Sequence, residues 1–529
     1  MKKLFLVTAL LFEIAMGMAQ TDDASKYAAV ITIADLQKHL TIIAGEEMEG
    51  RETGTDGQRK AATYIEAQFK AIGLQIPTGM TGYQQFYPLH RDTMLNSSLS
   101  IAGYTAEYGI DYMIPRANTS GTFTSNEIVF AGYGIEDEKY NDYAGLDVKG
   151  KLVIIFLGEP KAEGIYLITG KNSSSDWTYP GGLSKKLSLA KTKGAAGLLV
   201  INPAAETFSK RSIDDSKHSN LYYPAVSNGE EDKKINYALI SHRFAKTLFA
   251  DRFDGIIKKA TAAELFPQSD AWNKTATATY AYDKKTTIIY ASNVLGMLEG
   301  TDKQDEYVFL TGHYDHLGKR DGKIYYGADD DGSGTVGVIE MAAAFATAKA
   351  EGKGPRRTII FMTVSGEEKG LLGSQYYSEH PVFPLEKTSV DLNTDMVGRI
   401  DTERETADSS NYIYVVGHDK ISSELSVINE SVNDKYTKLK LDYKFDDPKD
   451  PERIYFRSDH YNFARKGVPV LFFYDGMLKA DYHKPTDTVD KINWTLYEKR
   501  VRLIFHTAWE IANRKKMLKR DKPLSSETR

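Results

Sequence analysis

The sequence predicts an α/β fold, a mixed, mostly parallel sheet sandwiched by helices, with a β-rich insert. Three observations predict it. After about residue 285 short apolar runs alternate with helical stretches, as parallel strands and their crossover helices do. Between about 118 and 280 the pattern changes to short β-rich runs separated by Gly-, Asp- and Tyr-rich turns. Acidic and His residues then fall directly after successive strands, where open α/β sheets gather their ligand sites.

The elements follow in order. Lys2 and Lys3 precede the apolar run Leu4 to Phe12, and Gly17, Met18 and Ala19 supply small residues for cleavage. That is the layout of a signal peptide over 1–19, and it implies export to the periplasm or the extracellular space. The run is shorter than the roughly 20 apolar residues a membrane anchor needs, and no later segment spans a bilayer. Ile33, Leu36, Leu40 and Ile43 recur at helical spacing, as do Ala61, Ala62, Ile65, Phe69 and Ile72, with Gly73 as a C-terminal cap. Strands are expected at Ile128 to Phe130, Leu152 to Leu157 and Leu198 to Ile201, with a helix around Leu187 to Ala190. Further on come a strand at Tyr307 to Thr311, an Ala-rich helix at Ser333 to Lys349, a strand at Arg357 to Val364 and a short helix at Leu371 to Ser378. Strands at Val390 to Leu392 and Val468 to Phe473 precede a closing amphipathic helix at Trp494 to Asn513. From Arg514 the chain turns basic and then polar, and a solvated tail is expected. The domain organisation is therefore 24–117 with 281–515 as one discontinuous domain, 118–280 as the insert and 516–529 as the tail.

Composition narrows the function. The chain has 529 residues, 41% hydrophobic and 26% charged, which is ordinary for a soluble protein. A net charge of -5 gives no electrostatic footprint for nucleic acid. There is no cysteine, so disulfides, thiolate nucleophiles and thiolate-bound metals are excluded, and any metal is held by His and carboxylates. The oligomeric state is not legible.

The chemistry-bearing residues lie at strand ends. His313 and Asp315 follow one strand; Asp329, Asp330 and Asp331 occupy a Gly-rich loop before a helix; Glu367 and Glu368, Asp395 and His483 follow others. Singly, such residues are more often turn formers, caps or solvated side chains. Together, imidazoles and carboxylates converging at one sheet edge suit a borderline-hard divalent metal: zinc, or manganese or cobalt on the same donors.

The segments Thr311-Gly312-His313-Tyr314-Asp315, Gly327-Ala328-Asp329-Asp330-Asp331-Gly332-Ser333-Gly334, Ser365-Gly366-Glu367-Glu368 and Asn393-Thr394-Asp395-Met396-Val397-Gly398 resemble the zinc aminopeptidase family. That family includes two-zinc bacterial aminopeptidases, glutamate carboxypeptidases and glutaminyl cyclases. Gly50-Arg51-Glu52-Thr53-Gly54, Ser458-Asp459-His460 with Gly467-Val468-Pro469, and Tyr482-His483 with Asp487-Thr488 continue the match over residues 30–115 and 285–515. The resemblance implies a peptidase with two zinc ions and peptide substrates. It implies that Asp329 bridges the metals, that His313 and Asp395 hold one and that Glu368 and His483 hold the other. Glu367 is implied as general base, Asp315 as the group orienting His313, and a cis peptide bond is implied between Asp329 and Asp330. Tyr455, three residues before Ser458, matches an oxyanion-stabilising tyrosine of some relatives.

Val129-Phe130-Ala131-Gly132-Tyr133-Gly134, Leu146-Asp147-Val148-Lys149-Gly150-Lys151 and Ala190 to Pro203 are similar to the protease-associated domain, a module inserted in this family. The reading is an exported aminopeptidase. A carboxypeptidase-type enzyme, a glutaminyl-cyclase-like enzyme and a non-catalytic binding module are the alternatives.

Overall fold

The computed structural model describes residues 23–115, 118–178, 181–224, 235–267, 273–405 and 410–522, so the expected leader lies outside the described residues. The chain divides into two compact units, residues 1–89 with 289–529 and residues 90–288.

The first unit is the α/β body. Its elements are α1 (Ile33–Ile43), α2 (Asp56–Ile72), β1 (the C-terminal part of the strand Asn273–Leu298), β2 (Lys303–His313), α3 (Gly334–Ala350), β3 (Arg357–Val364), α4 (Leu372–Glu379), β4 (Thr388–Thr394), β5 (Tyr412–Val416), α5 (Leu425–Tyr436), β6 (Lys440–Asp442), β7 (Val470–Tyr474) and α6 (Trp494–Asn513). The strand order is β6-β5-β7-β4-β2-β3-β1. β2 runs parallel to both β3 and β4, and β4 parallel to β7, while β1 and β5 supply the antiparallel pairings. The two-residue period of a strand decides which face each apolar residue covers. In β2, Val308 and Leu310 join the core beneath α1, α2, α3 and α6, whereas Phe309 points into the opposite core with Tyr377 and Phe463. In β3, Ile359 and Phe361 take the first face and Ile360 and Met362 the second. Strands buried on both faces read as unbroken apolar runs, which is why these were visible in sequence.

The helices begin and end where their chemistry directs. The Thr32 side chain accepts from the Asp35 N–H at the start of α1, and Asn493 accepts from the Leu496 N–H at the start of α6. Gly73 closes α2 in the left-handed conformation at φ 88°. Phe345 of α3 packs on Phe505 and Trp509 of α6, with centroids 4.6 and 5.6 Å apart.

The second unit pairs the N-terminal part of the strand Asn273–Leu298 with Gly121–Phe130, followed by Leu152–Phe156, Gly197–Ile201, Tyr237–Ile240 and Tyr112–Met113. The four central strands are mutually parallel, with helices Gly182–Thr192 and Lys210–Ser216 in their connections and His242–Phe249 and Phe253–Thr261 after the last of them. The unit is thus itself α/β rather than merely β-rich, and it takes in residues 90–117, which sequence patterning grouped with the larger domain.

The expectation of a solvated tail is corrected as far as residue 522. Leu518 is buried and its N–H donates to Ser389 Oγ at 3.1 Å, while Arg520 donates to the Leu385 and Thr388 carbonyls at 2.7 Å. One apolar side chain and one guanidinium supply the anchor that average polarity hides. No helix among the described residues is long and apolar enough to cross a membrane.

One buried pair makes stability depend on pH. Glu340 of α3 lies 3.4 Å from His39 of α1, yet burial pushes the carboxyl up to about 8 and burial holds the imidazole below its usual value. An ion pair would shift both the other way, so burial outweighs any attraction between them. The folded state therefore keeps a proton that the unfolded chain releases above its ordinary carboxyl pKa, and stability falls as pH rises through that window towards about 8. Glu340→Gln is expected to match the parent near pH ~5 and to exceed it by on the order of 2–4 kcal/mol near pH ~9, measured as urea midpoints of the two proteins.

Candidate metal centre

The sheet delivers the polar side chains to one edge. His313 is the last residue of β2, and Asp395 directly follows β4. Glu367 and Glu368 form a short turn after β3, and Asp330 sits in the loop leading into α3. His483 arrives on the loop after β7. Met396 and His483 adopt left-handed backbone at φ 57° and 55°, which non-glycine residues adopt rarely and mostly at functional sites.

The distances resolve two adjoining groups that share one carboxylate. Asp330 Oδ1 lies 3.3 Å from His313 Nε2, which is also 3.5 Å from Asp395 Oδ1 and 3.8 Å from Glu367 Oε2. Asp330 Oδ2 lies 3.2 Å from His483 Nε2, which is 3.0 Å from Glu368 Oε2. His316 Nδ1 stands 2.8 Å from Glu368 Oε1 and 3.9 Å from Asp330 Oδ2. His313 Nε2, Asp330 Oδ2, Glu368 Oε1 and both His316 nitrogens are buried without a hydrogen-bond partner. Zinc ligands at ~2.0–2.1 Å from one ion, meeting at about 90–110°, stand ~2.9–3.4 Å apart. The contacts of Asp330 with His313 and His483 and of His483 with Glu368 lie in that range, the others within about half an ångström of it, and with the orphaned atoms and the N/O donor set they fit borderline divalent cations.

The bridging position corrects one expectation. Asp330, not Asp329, places an oxygen against each histidine group. Asp329 turns away: its Oδ1 accepts from the Gly398 N–H at 2.8 Å, and burial together with Asp475 and Asp487 pushes its carboxyl well up. The cis peptide bond joins Asp330 and Asp331, one residue later than expected. Sequence offered three adjacent aspartates and no means of choosing between them.

The surrounding shell is made of backbone donors. Asp331 accepts from the His313, Gly334 and Met396 N–H groups at 3.0, 2.7 and 3.1 Å. Asp487 accepts from the Asp329 and Asp330 N–H groups. Gly334 has no room for a side chain, since a Cβ there would lie 2.0 Å from the Thr394 carbonyl. Asp315 accepts from Thr53 Oγ1 at 2.6 Å and from the Glu367 N–H at 3.2 Å. Its carboxylate stands 3.6 Å from His313 Nδ1, with its own carbonyl closer at 3.1 Å. Ser458 Oγ donates to Asp395 at 2.6 Å.

Tyr455 is not brought to this group. Its buried hydroxyl has no partner, its ring packs against Phe456, His460 and Tyr461, and beyond its burial the charge that acts on it most is Asp446. Two other tyrosines line the adjoining pocket instead: Tyr474, which sequence reasoning missed, and Tyr482, read there only as part of the His483 motif. Asp330, Glu367 and Asp395 open into a pocket lined also by Met396, Ile454, Arg457, Phe472, Tyr474, Leu478 and Tyr482. Tyr474 keeps a buried, unpartnered hydroxyl there, and the Tyr482 ring stacks on His483 with centroids 3.8 Å apart. In a further group, His418, Asp419 and Asp446, Lys420 donates to Asp446 and takes the place a cation would occupy.

Charge is unevenly matched in the centre. Burial and the neighbouring Glu368, Asp395 and Asp459 push the Glu367 carboxyl well above its usual range, although His313 opposes this. Burial favours a neutral His483, but Asp330 and Glu368 hold its proton up to about 10. Four carboxylates thus crowd a dry site where protons on imidazoles are the available counter-charge, and cations would replace those protons.

Residues 293–508 match Peptidase family M28. A probable leucine aminopeptidase of Arthroderma otae is 30% identical over 215 residues, covering 40% of this chain and 55% of that protein. The corresponding protein of Trichophyton verrucosum is 28% identical over the same shares. The chain thus spans about half the length of these relatives. Among solved structures, an aminopeptidase from Aneurinibacillus sp. strain AM-1 superposes with a TM-score of 0.54 at 18% identity, covering 95% of this chain and 98% of that one, a likeness of fold.

Asp330→Asn is expected to lower the retention of both metal equivalents together, whereas Asp329→Asn keeps them. Metal-to-protein ratios after dialysis of zinc-loaded protein check this, and equal loss in the two variants contradicts the shared-carboxylate geometry.

Proposed function

We propose, on the premise that residues 293–508 belong to Peptidase family M28, that this chain is an exported two-zinc aminopeptidase. The observation that carries the reading is the Asp330 carboxylate, one oxygen against His313 and the other against His483, with Glu367 at the wall of the adjoining pocket. His313 with Asp395 would hold one zinc, Glu368 with His483 the other, and Asp330 both. Zinc bound there would supply Lewis-acid activation of the scissile carbonyl and of the attacking water. The expectation of export rests on the leader-like stretch from Lys2 to Ala19.

The chain's own residues supply the remaining functions. Glu367 has a high proton affinity because it is buried among other carboxylates, which suits a base that takes a proton from water and returns it to the leaving amine. The hydroxyl of Tyr474 lines the same pocket without a partner and is free to donate to a developing oxyanion. Met396, Ile454, Phe472 and Leu478 give the pocket apolar walls for the first side chain. The α-ammonium of a peptide matches the surplus negative charge of Glu367, Asp330 and Asp395. A blocked terminus leaves those buried carboxylates unpaired.

Arg457 favours a second reading. It lines the pocket, donates to the Tyr482 hydroxyl at 3.1 Å and reaches the exposed Glu452 at 3.4 Å, so a substrate carboxylate could compete for it. A carboxypeptidase-type enzyme would use it in that way.

Two outcomes are expected. Glu367→Ala retains fold and metals while kcat falls by about 10²–10⁴-fold, read from metal content and turnover of the same preparation. Mass spectrometry of a decapeptide and its N-acetylated twin should show trimming from the free N-terminus alone, with discrimination of roughly 10²-fold or more in kcat/KM. Equal cleavage of the twin, or loss from the C-terminus, moves the assignment to the carboxypeptidase-type reading.

A further inference from the structure

The two halves of the centre are not alike. On the His313 side the imidazole faces Asp330, Asp395 and the base Glu367. On the other side two imidazoles, His316 and His483, face the same pair of carboxylates, Glu368 and Asp330. His316 is fully buried, and neither ring nitrogen has a hydrogen-bond partner. A buried imidazole with both nitrogens unsatisfied is costly, so its position calls for a partner.

Glu368 alone does not provide that partner. His316 Nδ1 approaches Glu368 Oε1 to 2.8 Å, but the ring is not aligned to donate, and both atoms remain without a hydrogen bond. A close N···O approach without hydrogen-bond alignment is the relation expected of two ligands on one ion, whose lone pairs converge on a point between them. One donor atom each from His316, Asp330 and Glu368 lies within 4.8 Å of the others, and His483 Nε2 meets the same two carboxylates from the side. The His316 and His483 rings stand 6.0 Å apart, inclined at 67°, and do not stack.

We propose that His316 is a direct ligand, through Nδ1, of the metal held by Glu368, His483 and Asp330. This rests on the two-metal reading above. That metal then has four protein ligands, against three from His313, Asp395 and Asp330 on the other side. The centre is thereby divided into a closed, tightly held site and an open one beside Glu367.

The test uses zinc-loaded full-length protein and a chelator, following zinc release by atomic emission. The parent is expected to lose one equivalent rapidly and one slowly. His316→Ala is expected to speed the slow phase by at least the ~10–100-fold that even an outer-shell partner commands, leaving the fast phase unchanged. His316→Gln, which can donate a hydrogen bond to Glu368, is expected not to restore the slow phase; restoration overturns the ligand assignment. X-ray absorption on the parent protein stripped to its slow zinc provides a readout that needs no variant. Two imidazoles at that zinc are expected, and one overturns the proposal. A parent protein that never binds two equivalents instead refutes the two-metal reading on which the proposal rests, a result separate from either His316 outcome.

Discussion

The centre depends on one carboxylate that is not itself placed to bind a metal. Asp331 gathers the N–H groups of His313, Gly334 and Met396, and so ties the end of β2, the start of α3 and the turn after β4 to a single point. Burial and Asp395 still push its carboxyl well above the usual range, while His313 and these backbone N–H groups oppose that. Beside it Asp487 accepts from the Asp329 and Asp330 N–H groups, which ties the loop of His483 to the same segment. Without these bonds the loops after three separate strands would have no common register, and Asp330 would have no fixed direction.

The same arrangement explains how so many carboxylates stay together. Uncompensated like charges in a buried site repel strongly; the proton of His313 is held firmly against this excess of acid, and burial among carboxylates raises the proton affinity of Glu367. Arg51 lies fully buried behind the centre, donating to the Ile43, Tyr314, Tyr326 and Gly327 carbonyls. Its charge acts on Asp315, Asp487 and Asp330 from the rear while its hydrogen bonds brace the loops from α1 to α3. The pocket side is left to apolar walls, Arg457, Tyr474 and Tyr482.

Backbone hydrogen bonds distinguish the three aspartates. Asp329 accepts from the Gly398 N–H, and Asp475, Asp487 and Arg399 act on its carboxyl. Asp330 and Asp331 point in the other two directions. Three identical residues thus do three jobs: a brace to the turn after β4, a shared oxygen pair, and the tie between loops.

By itself the sequence determined the α/β class, the strands and helices of the larger unit, the absence of sulfur ligands and the strand ends at which His313, Glu367, Glu368, Asp395 and His483 lie. These were legible because apolar runs, helical spacing and caps are local properties of the chain. Only the tertiary structure distinguished Asp330 from Asp329 by position, placed Tyr474 rather than Tyr455 on the pocket wall, drew His316 into the centre and bound Leu518 and Arg520 to the body. Each of those outcomes turns on the direction of a side chain leaving an irregular loop. That direction is set by backbone hydrogen bonds to residues far away in sequence, which no periodicity records.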